Sequence, residues 1–437
     1  MKKINIQKIF CFISLLFIFS CCIFYGTRFA KFYLKNKKVE IEEKNSLIKV
    51  IKENNQNNDN FKSVNGQNYF TGKDESNYLM YSNILWRIIK VNDDNTITAI
   101  ANNSLTSLAY GNNLNYQESY IYKWLNTTND ESSGILEKVL NNKETYLDKV
   151  TTCLDTVDEL TNNPCKNSNN DNYLTLLSVT DYLNIGSKDS YLSNEEYYYL
   201  VSSNKDNLAW YVKDDGNASV TGKSDIIGIR PVINIKANID YVSGDGSSNN
   251  PYTIEKETSL FGSYVKLAND IWRIYQVNDN EIKLMLNDYL KVNDNNLTYK
   301  YSSNSSYYDD YSQGSIAYYL NHTYLSSLSY KDIIKETNWS NGTYNNDYNY
   351  VSALKDEINS KVALMSIGNI FLNSDLTNYF TMTGTQNKGK TVYTIQKDKK
   401  LYTKQISSTL SVVPTISIDK DVLKKGNGTI DSPYEME

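Results

Sequence analysis

Residues Ile84-Leu85-Trp86-Arg87-Ile88-Ile89-Lys90-Val91 form an almost unbroken apolar, β-branched and aromatic run. It stops at the turn-forming Asn92-Asp93-Asp94-Asn95 and resumes from Thr96 to Ile100. This pattern predicts a β-hairpin. Both alternating sets of its first strand, Ile84/Trp86/Ile88 and Leu85/Ile89/Val91, are apolar, so the strand is expected to be buried on both sides. The same pattern returns at Asp270 to Val277, the turn Asn278-Asp279-Asn280, and Ile282 to Leu286. Helical spacing follows at Glu118 to Asn126, where Ile121, Trp124 and Leu125 share a face, and again at Ala317 to Asn321. Leu174-Thr175-Leu176-Leu177-Ser178 then leads to a predicted helix through Tyr182 and Leu183. Val362-Ala363-Leu364-Met365-Ser366 leads likewise to Ile370-Phe371-Leu372, with Ser178 and Ser366 placed as helix caps.

The elements recur because one module is present twice. Trp86-Arg87 returns as Trp272-Arg273, Arg230-Pro231-Val232-Ile233-Asn234-Ile235 as Val413-Pro414-Thr415-Ile416-Ser417-Ile418, and Gly244-Asp245-Gly246 as Gly426-Asn427-Gly428. The offset is nearly constant. Strands at both ends of each copy with helices between them predict an α+β unit whose terminal strands pair.

The N-terminus is of another kind. Ile9 to Thr27 carries no charge and lies between Lys2, Lys3, Lys8 and a longer basic stretch from Arg28. Its length is near the roughly 20 residues that span a bilayer, and no small-x-small cleavage site follows. We expect 1–8 as a short cytoplasmic N-terminus, 9–27 as an uncleaved transmembrane signal anchor and 28–66 as a charged, Asn-rich stalk, partly helical near Leu47 to Ile51 and otherwise flexible. Residues 67–256 form the first domain and 260–437 a diverged second. Outside the apolar segment, only Cys153 and Cys165 remain. A local pair with no C-x-x-C and no companion His points to a disulfide, and so to extracytoplasmic domains on the cell surface.

A net charge of −5 with no basic stripe argues against nucleic acid. Three of the four arginines (Arg87, Arg230, Arg273) fall inside the recurrent motifs, where a planar multi-donor cation is expected to tie carbonyls together. With Trp86, Trp124, Pro231, Trp272 and Pro414 they are read as structural. The 38 tyrosines suit both an AT-rich coding bias and a recognition surface.

Catalytic patterns do not emerge. The single histidine, His322, has no equivalent in the first copy, and no zinc-ligand cluster or phosphate-binding glycine loop occurs. Asp93-Asp94, Asp214-Asp215-Gly216-Asn217 and Asp309-Asp310 offer oxygen ligands suited to Ca²⁺, but such residues also gather in solvated turns, the preferred reading. No cofactor, no other metal and no enzymatic activity are expected.

Leu85-Trp86-Arg87-Ile88, Trp124-Leu125-Asn126, Leu176-Leu177-Ser178 and Gly228-Ile229-Arg230-Pro231-Val232-Ile233-Asn234-Ile235, in this order, resemble an uncharacterised family of extracytoplasmic domains from low-GC bacteria. That family is similar to the C-type lectin-like and formylglycine-generating-enzyme group of folds. The resemblance implies two tandem C-type lectin-like domains. The expected role is a membrane-anchored surface protein that binds a glycan, cell-wall polymer or protein. The candidate contacts are Trp210, Tyr211, Asp214, Asp215 and Asn217, with Tyr379 and Phe380 in the second copy; core packing is the competing reading for the aromatics. The alternatives are an envelope structural or assembly protein, or a hydrolase without a recognisable motif.

Overall fold

A computed structural model describes residue 28 and residues 46–127, 139–256, 259–278, 280–306, 308–309, 311–344, 347–373, 375–385 and 389–436. The expected anchor at 9–27 lies outside them. No helix among the described residues is long and apolar enough to cross a membrane.

The fold is α+β with sheet predominating. In the first copy the strands are β1 (Phe61–Val64), β2 (Gln67–Phe70), β3 (Tyr78–Tyr81), β4 (Ile84–Val91), β5 (Ile97–Ala101), β6 (Thr106–Leu108), β7 (Leu147–Asp148), β8 (Val150–Cys153) and β9 (Ser168–Asn172). They continue with β10 (Tyr198–Ser203), β11 (Ala209–Val212), β12 (Ala218–Thr221), β13 (Ile227–Ile229), β14 (Val232–Ile235) and β15 (Tyr252–Thr253). One sheet runs β1-β2-β4-β5-β14-β7, with β3 also on β4 and β15 parallel to β3; a second runs β12-β11-β10-β13-β6.

The second copy holds β16 (Tyr264–Leu267), β17 (Asp270–Val277), β18 (Glu281–Leu286), β19 (Lys291–Val292), β20 (Asn295–Asn296), β21 (Thr298–Lys300), β22 (Thr337–Ser340), β23 (Glu357–Ser360) and β24 (Val362–Ala363). After these come β25 (Tyr379–Gly384), β26 (Thr391–Ile395), β27 (Tyr402–Gln405), β28 (Thr409–Ser411), β29 (Thr415–Asp419) and β30 (Tyr434–Glu435). Its sheets run β24-β29-β18-β17-β16-β30 and β21-β28-β25-β26-β27, the strand orders of the first copy without β1 and β2, except that β24 matches the Thr175 bridge to Val232 rather than β7.

The doubled Trp-Arg motif repeats down to its irregularity. Ile88 pairs Ala99 and Lys90 pairs Thr98, leaving Ile89 as an extra residue; Ile274 pairs Leu284 and Gln276 pairs Lys283, leaving Tyr275. The bulge re-phases the side chains. Trp86, Ile88 and Val91 therefore share one face with Ala101, Ala99 and Ile97, whereas Arg87 and Lys90 share the other with Ile100 and Thr98. Both faces are covered, but polar residues are confined to one of them.

The arginines act as ties. Arg87 Nε donates to Asn77 Oδ1 (2.6 Å) and Nη2 to the Glu75 carbonyl, with its guanidinium 3.8 Å from the Tyr78 ring centroid. Arg230 binds the Ala101 and Leu192 carbonyls, and Arg273 those of Gly262 and Leu372. Pro231 and Pro414 each supply a carbonyl to the end of the neighbouring hairpin strand, at Ala101 N and Leu286 N. The closing glycines answer a close approach. Gly244 and Gly426 have φ of +97° and +84°, and a Cβ there would lie 1.9 and 2.0 Å from the carbonyl oxygens of Pro251 and Pro433.

Two expectations change. Within the expected stalk the helix Leu47–Asn54 lies where a partly helical stretch was expected, but it is docked, burying Leu47 and Ile51, one turn apart, and the rest is not loose, since β1 pairs β2. The apolar pair drives docking that the surrounding Asn-rich composition concealed. Ser366 caps no helix, because its segment is a turn in which Asn369 Oδ1 accepts from Ser366 N; Ser178 does cap Val179–Ile185. The copies also share one core. Trp124 Nε1 donates to the Gly368 carbonyl (2.9 Å), Phe371 N to Leu105 O, and Leu401 N to Ile226 O.

Candidate functional site

The junction of the copies is built by two equivalent hairpin ends. In the first copy β11 and β12 are joined by Lys213-Asp214-Asp215-Gly216-Asn217. The turn is closed by Lys213 N to Asn217 O and made possible by Gly216 at φ +80°. Asp215 is held down at about 2 by hydrogen bonds from the side chain and backbone of Asn217 and from Lys213, to which it also pairs at 3.0 Å. In the second copy the turn between β26 and β27 carries Lys397 and Asp398. The Asp398 carbonyl accepts from Tyr197 N (2.7 Å), the Lys399 carbonyl accepts from Ser107 Oγ (2.7 Å), and Lys397 pairs with Glu195.

Glu195, Asp214, Asp215, Lys397 and Asp398 line an open groove of about 420 Å³ at this junction. Tyrosines edge it. Tyr197 and Tyr211 stack at 6.0 Å with 24° between their planes, and Tyr402 donates to Asp398 Oδ2 at 3.0 Å. Burial and then hydrogen bonding to Asp214 push the Tyr197 hydroxyl up to about 12. Burial and Asp398 do the same for Tyr402. Both phenols therefore stay protonated hydroxyls at neutral pH. The arrangement offers carboxylate acceptors beside flat aromatic surface, suited to holding hydroxyl groups rather than to moving protons.

The residues singled out from sequence divide sharply. Asp214 and Asp215 line the groove, Tyr211 stacks on Tyr197 beside it, and Asn217 N donates to Asp215 Oδ1 within the turn that carries them. Trp210, Tyr379 and Phe380 do not reach it, and their expected role as contacts is corrected. Trp210 is 7% exposed with Nε1 bonded to the Val157 carbonyl, and Tyr379 and Phe380 lie at 1% and 2% in the second sheet, Phe380 edge-on to Tyr301. Alternation along β11 turns Trp210 inward, whereas β25 is covered on both faces, so the adjacent Tyr379 and Phe380 are both buried. Glu195, Tyr197, Lys397, Asp398 and Tyr402 were not foreseen: the last three come from a segment nearly two hundred residues away, and Glu195 and Tyr197 from the approach to β10. The only legible signal was the pair of polar turns at matching places in the two copies.

The acidic turns considered for Ca²⁺ are engaged locally. Asp94 Oδ1 accepts from Thr96 N and Oγ1, and Asp309 from Tyr311 N and Ser312 Oγ. Among the described residues, Cys153, Asp155 and Cys165 group as metal ligands would, but the two sulfurs are joined in a disulfide with Cα atoms 5.7 Å apart. No family model, curated protein or solved structure matches this chain.

Proposed function

We propose that this chain is a membrane-anchored, surface-displayed binding protein. Its two copies are tandem C-type lectin-like domains of the kind that the sequence motifs resemble, and it takes a glycan in the groove where they meet. One observation carries the reading: stacked tyrosines and carboxylates converge there from both copies. Tyrosine rings present apolar area at little rotamer cost, and carboxylates accept from sugar hydroxyls. The closing strand that returns beside the opening strand in each copy supports the lectin-like reading. The disulfide supports an extracytoplasmic location.

The test is a glycan array with the detergent-solubilised full-length chain. Binding should be saturable and fall at least about tenfold in Tyr211→Ala, the weight of one anchoring aromatic. Failure to bind any glycan, with membrane proteins co-purifying instead, would favour the envelope structural role. Protease shaving of intact cells checks display: a fully protected C-terminal part sinks it.

A further inference from the structure

The first copy contains a second cavity, of about 350 Å³, over the polar face of its first sheet. That volume lies at the small end of the roughly 300–1,000 Å³ typical of small-molecule sites. Its floor is set by the strand bulge: Tyr69 on β2, Lys90 on β4, Thr98 on β5 and Asn234 on β14 are successive cross-strand partners and all point into it. The roof is the helix Val179–Ile185 together with the disulfide loop, whose Asn163 carbonyl accepts from Thr180 Oγ1 and whose Asn162 amide donates to Asn184 Oδ1.

A buried ion pair occupies one wall. Lys90 Nζ lies 2.8 Å from Asp181 Oδ1, with the side chains 13% and 19% exposed. Tyr69 Oη donates to the same oxygen at 2.7 Å and accepts from Lys90, while Ser178 Oγ donates to Asp181 Oδ2. Taking both charges out of water is costly and needs a reason. The fold does not supply one. The second copy places Gln276 where the first has Lys90 and Asn369 where it has Asp181, keeps the order of the neighbouring strands, and lays the buried Trp339 against Lys283 on that face. The β1–β2 hairpin, the disulfide loop and the capped helix, none of which recurs among the described residues of the second copy, all surround this one cavity.

We propose that this cavity is a binding pocket for a single uncharged sugar residue, distinct from the groove between the copies. Lys90 offsets only one of the three carboxylates that line it (Asp93, Asp94, Asp181), so an anionic ligand is disfavoured. The rest of the polar lining is amide and hydroxyl, including Gln67, Asn92, Thr98, Asn184 and Asn234. Such groups donate and accept in close succession, which matches a ligand whose hydroxyls do both. Val150, Leu176 and Val232 supply the apolar remainder.

Saturation-transfer NMR on the full-length chain with glucose, N-acetylglucosamine and glucuronate tests the proposal. Transfer to a neutral sugar is expected. Measured in a Tyr211→Ala background, which silences the groove, it should persist and then weaken at least tenfold when Lys90→Gln/Asp181→Asn is added, a double change that installs the residues the second copy folds with. Thr151→Trp, at the exposed rim, should block binding without touching the ion pair. No transfer to either neutral sugar overturns the pocket. So does full binding in a folded double variant together with Thr151→Trp, or equal binding of glucuronate. The groove stands or falls separately, on Tyr211.

Discussion

Trp210 shows how far a single side chain can be misjudged from its neighbours in sequence. It sits in a segment rich in exposed polar residues, yet its indole fills the second sheet and its N–H is satisfied by Val157 O. Truncation to Ala should therefore cost about 3–5 kcal/mol of stability, read by chemical denaturation, before any effect on ligand binding is considered. The Lys90–Asp181 pair gives a pH signature. Burial alone would raise the Asp181 pKa, but the Lys90 charge and the hydrogen bonds from Lys90, Tyr69 and Ser178 outweigh it and hold it below its ordinary value. Burial would lower Lys90, and Asp181 reverses that as well. A depressed carboxylate contributes stability above its unfolded pKa and loses it as pH falls through the folded one. A raised lysine contributes below its unfolded pKa and loses it as pH rises through the folded one. Thermal melts of the wild type should thus fall more steeply than those of Lys90→Gln/Asp181→Asn below about pH 4, and again above about pH 10.5. Parallel curves would show that the pair is not coupled in solution.

At the scale of elements, the recurrent and the unique parts behave differently. The hairpin with its bulge, the arginine ties and the glycine turn occur in both copies because each meets a backbone requirement. Gly244→Ala or Gly426→Ala would drive a methyl into a carbonyl oxygen at a positive φ. Either change should lower the melting temperature by many degrees, whereas Gly222→Ala, with open space and no such φ, should not. The disulfide loop belongs to the unique parts. Cys153→Ser/Cys165→Ser, which opens a loop with a sequence separation of 12, should cost on the order of 3 kcal/mol. Its local effect should be proteolytic nicking between residues 154 and 164. The hairpins were legible from apolar runs ended by Asn-Asp turns, since both signals are local. The bulge was not, because a run apolar at every position hides where the alternation slips. Nor was the missing helix after Ser366, where a capping residue is present but the following backbone closes a turn instead.

For the whole molecule, the shared core matters more than the duplication. Trp124 of one copy is satisfied by Gly368 of the other, and the Lys397–Asp398 turn is bonded to Tyr197 and, through Lys399, to Ser107. The full chain should unfold in one transition. Residues 46–256 and 259–437 expressed separately should each lose cooperative melting, and recovery of two independent transitions would refute a common core. Chain chemistry alone determined that a module is repeated, where its hairpins and closing turns lie, that Cys153 and Cys165 belong together, and that Trp86 anchors a core. All of these rest on periodicity, turn chemistry or local spacing, which act over a few residues. Tertiary structure decided which tyrosines are surface and which are core, brought Asp214 to Asp398, and set Lys90 opposite Asp181. Those outcomes depend on which face a strand presents after its bulge and on how two distant hairpins pack. No short window of sequence carries that information.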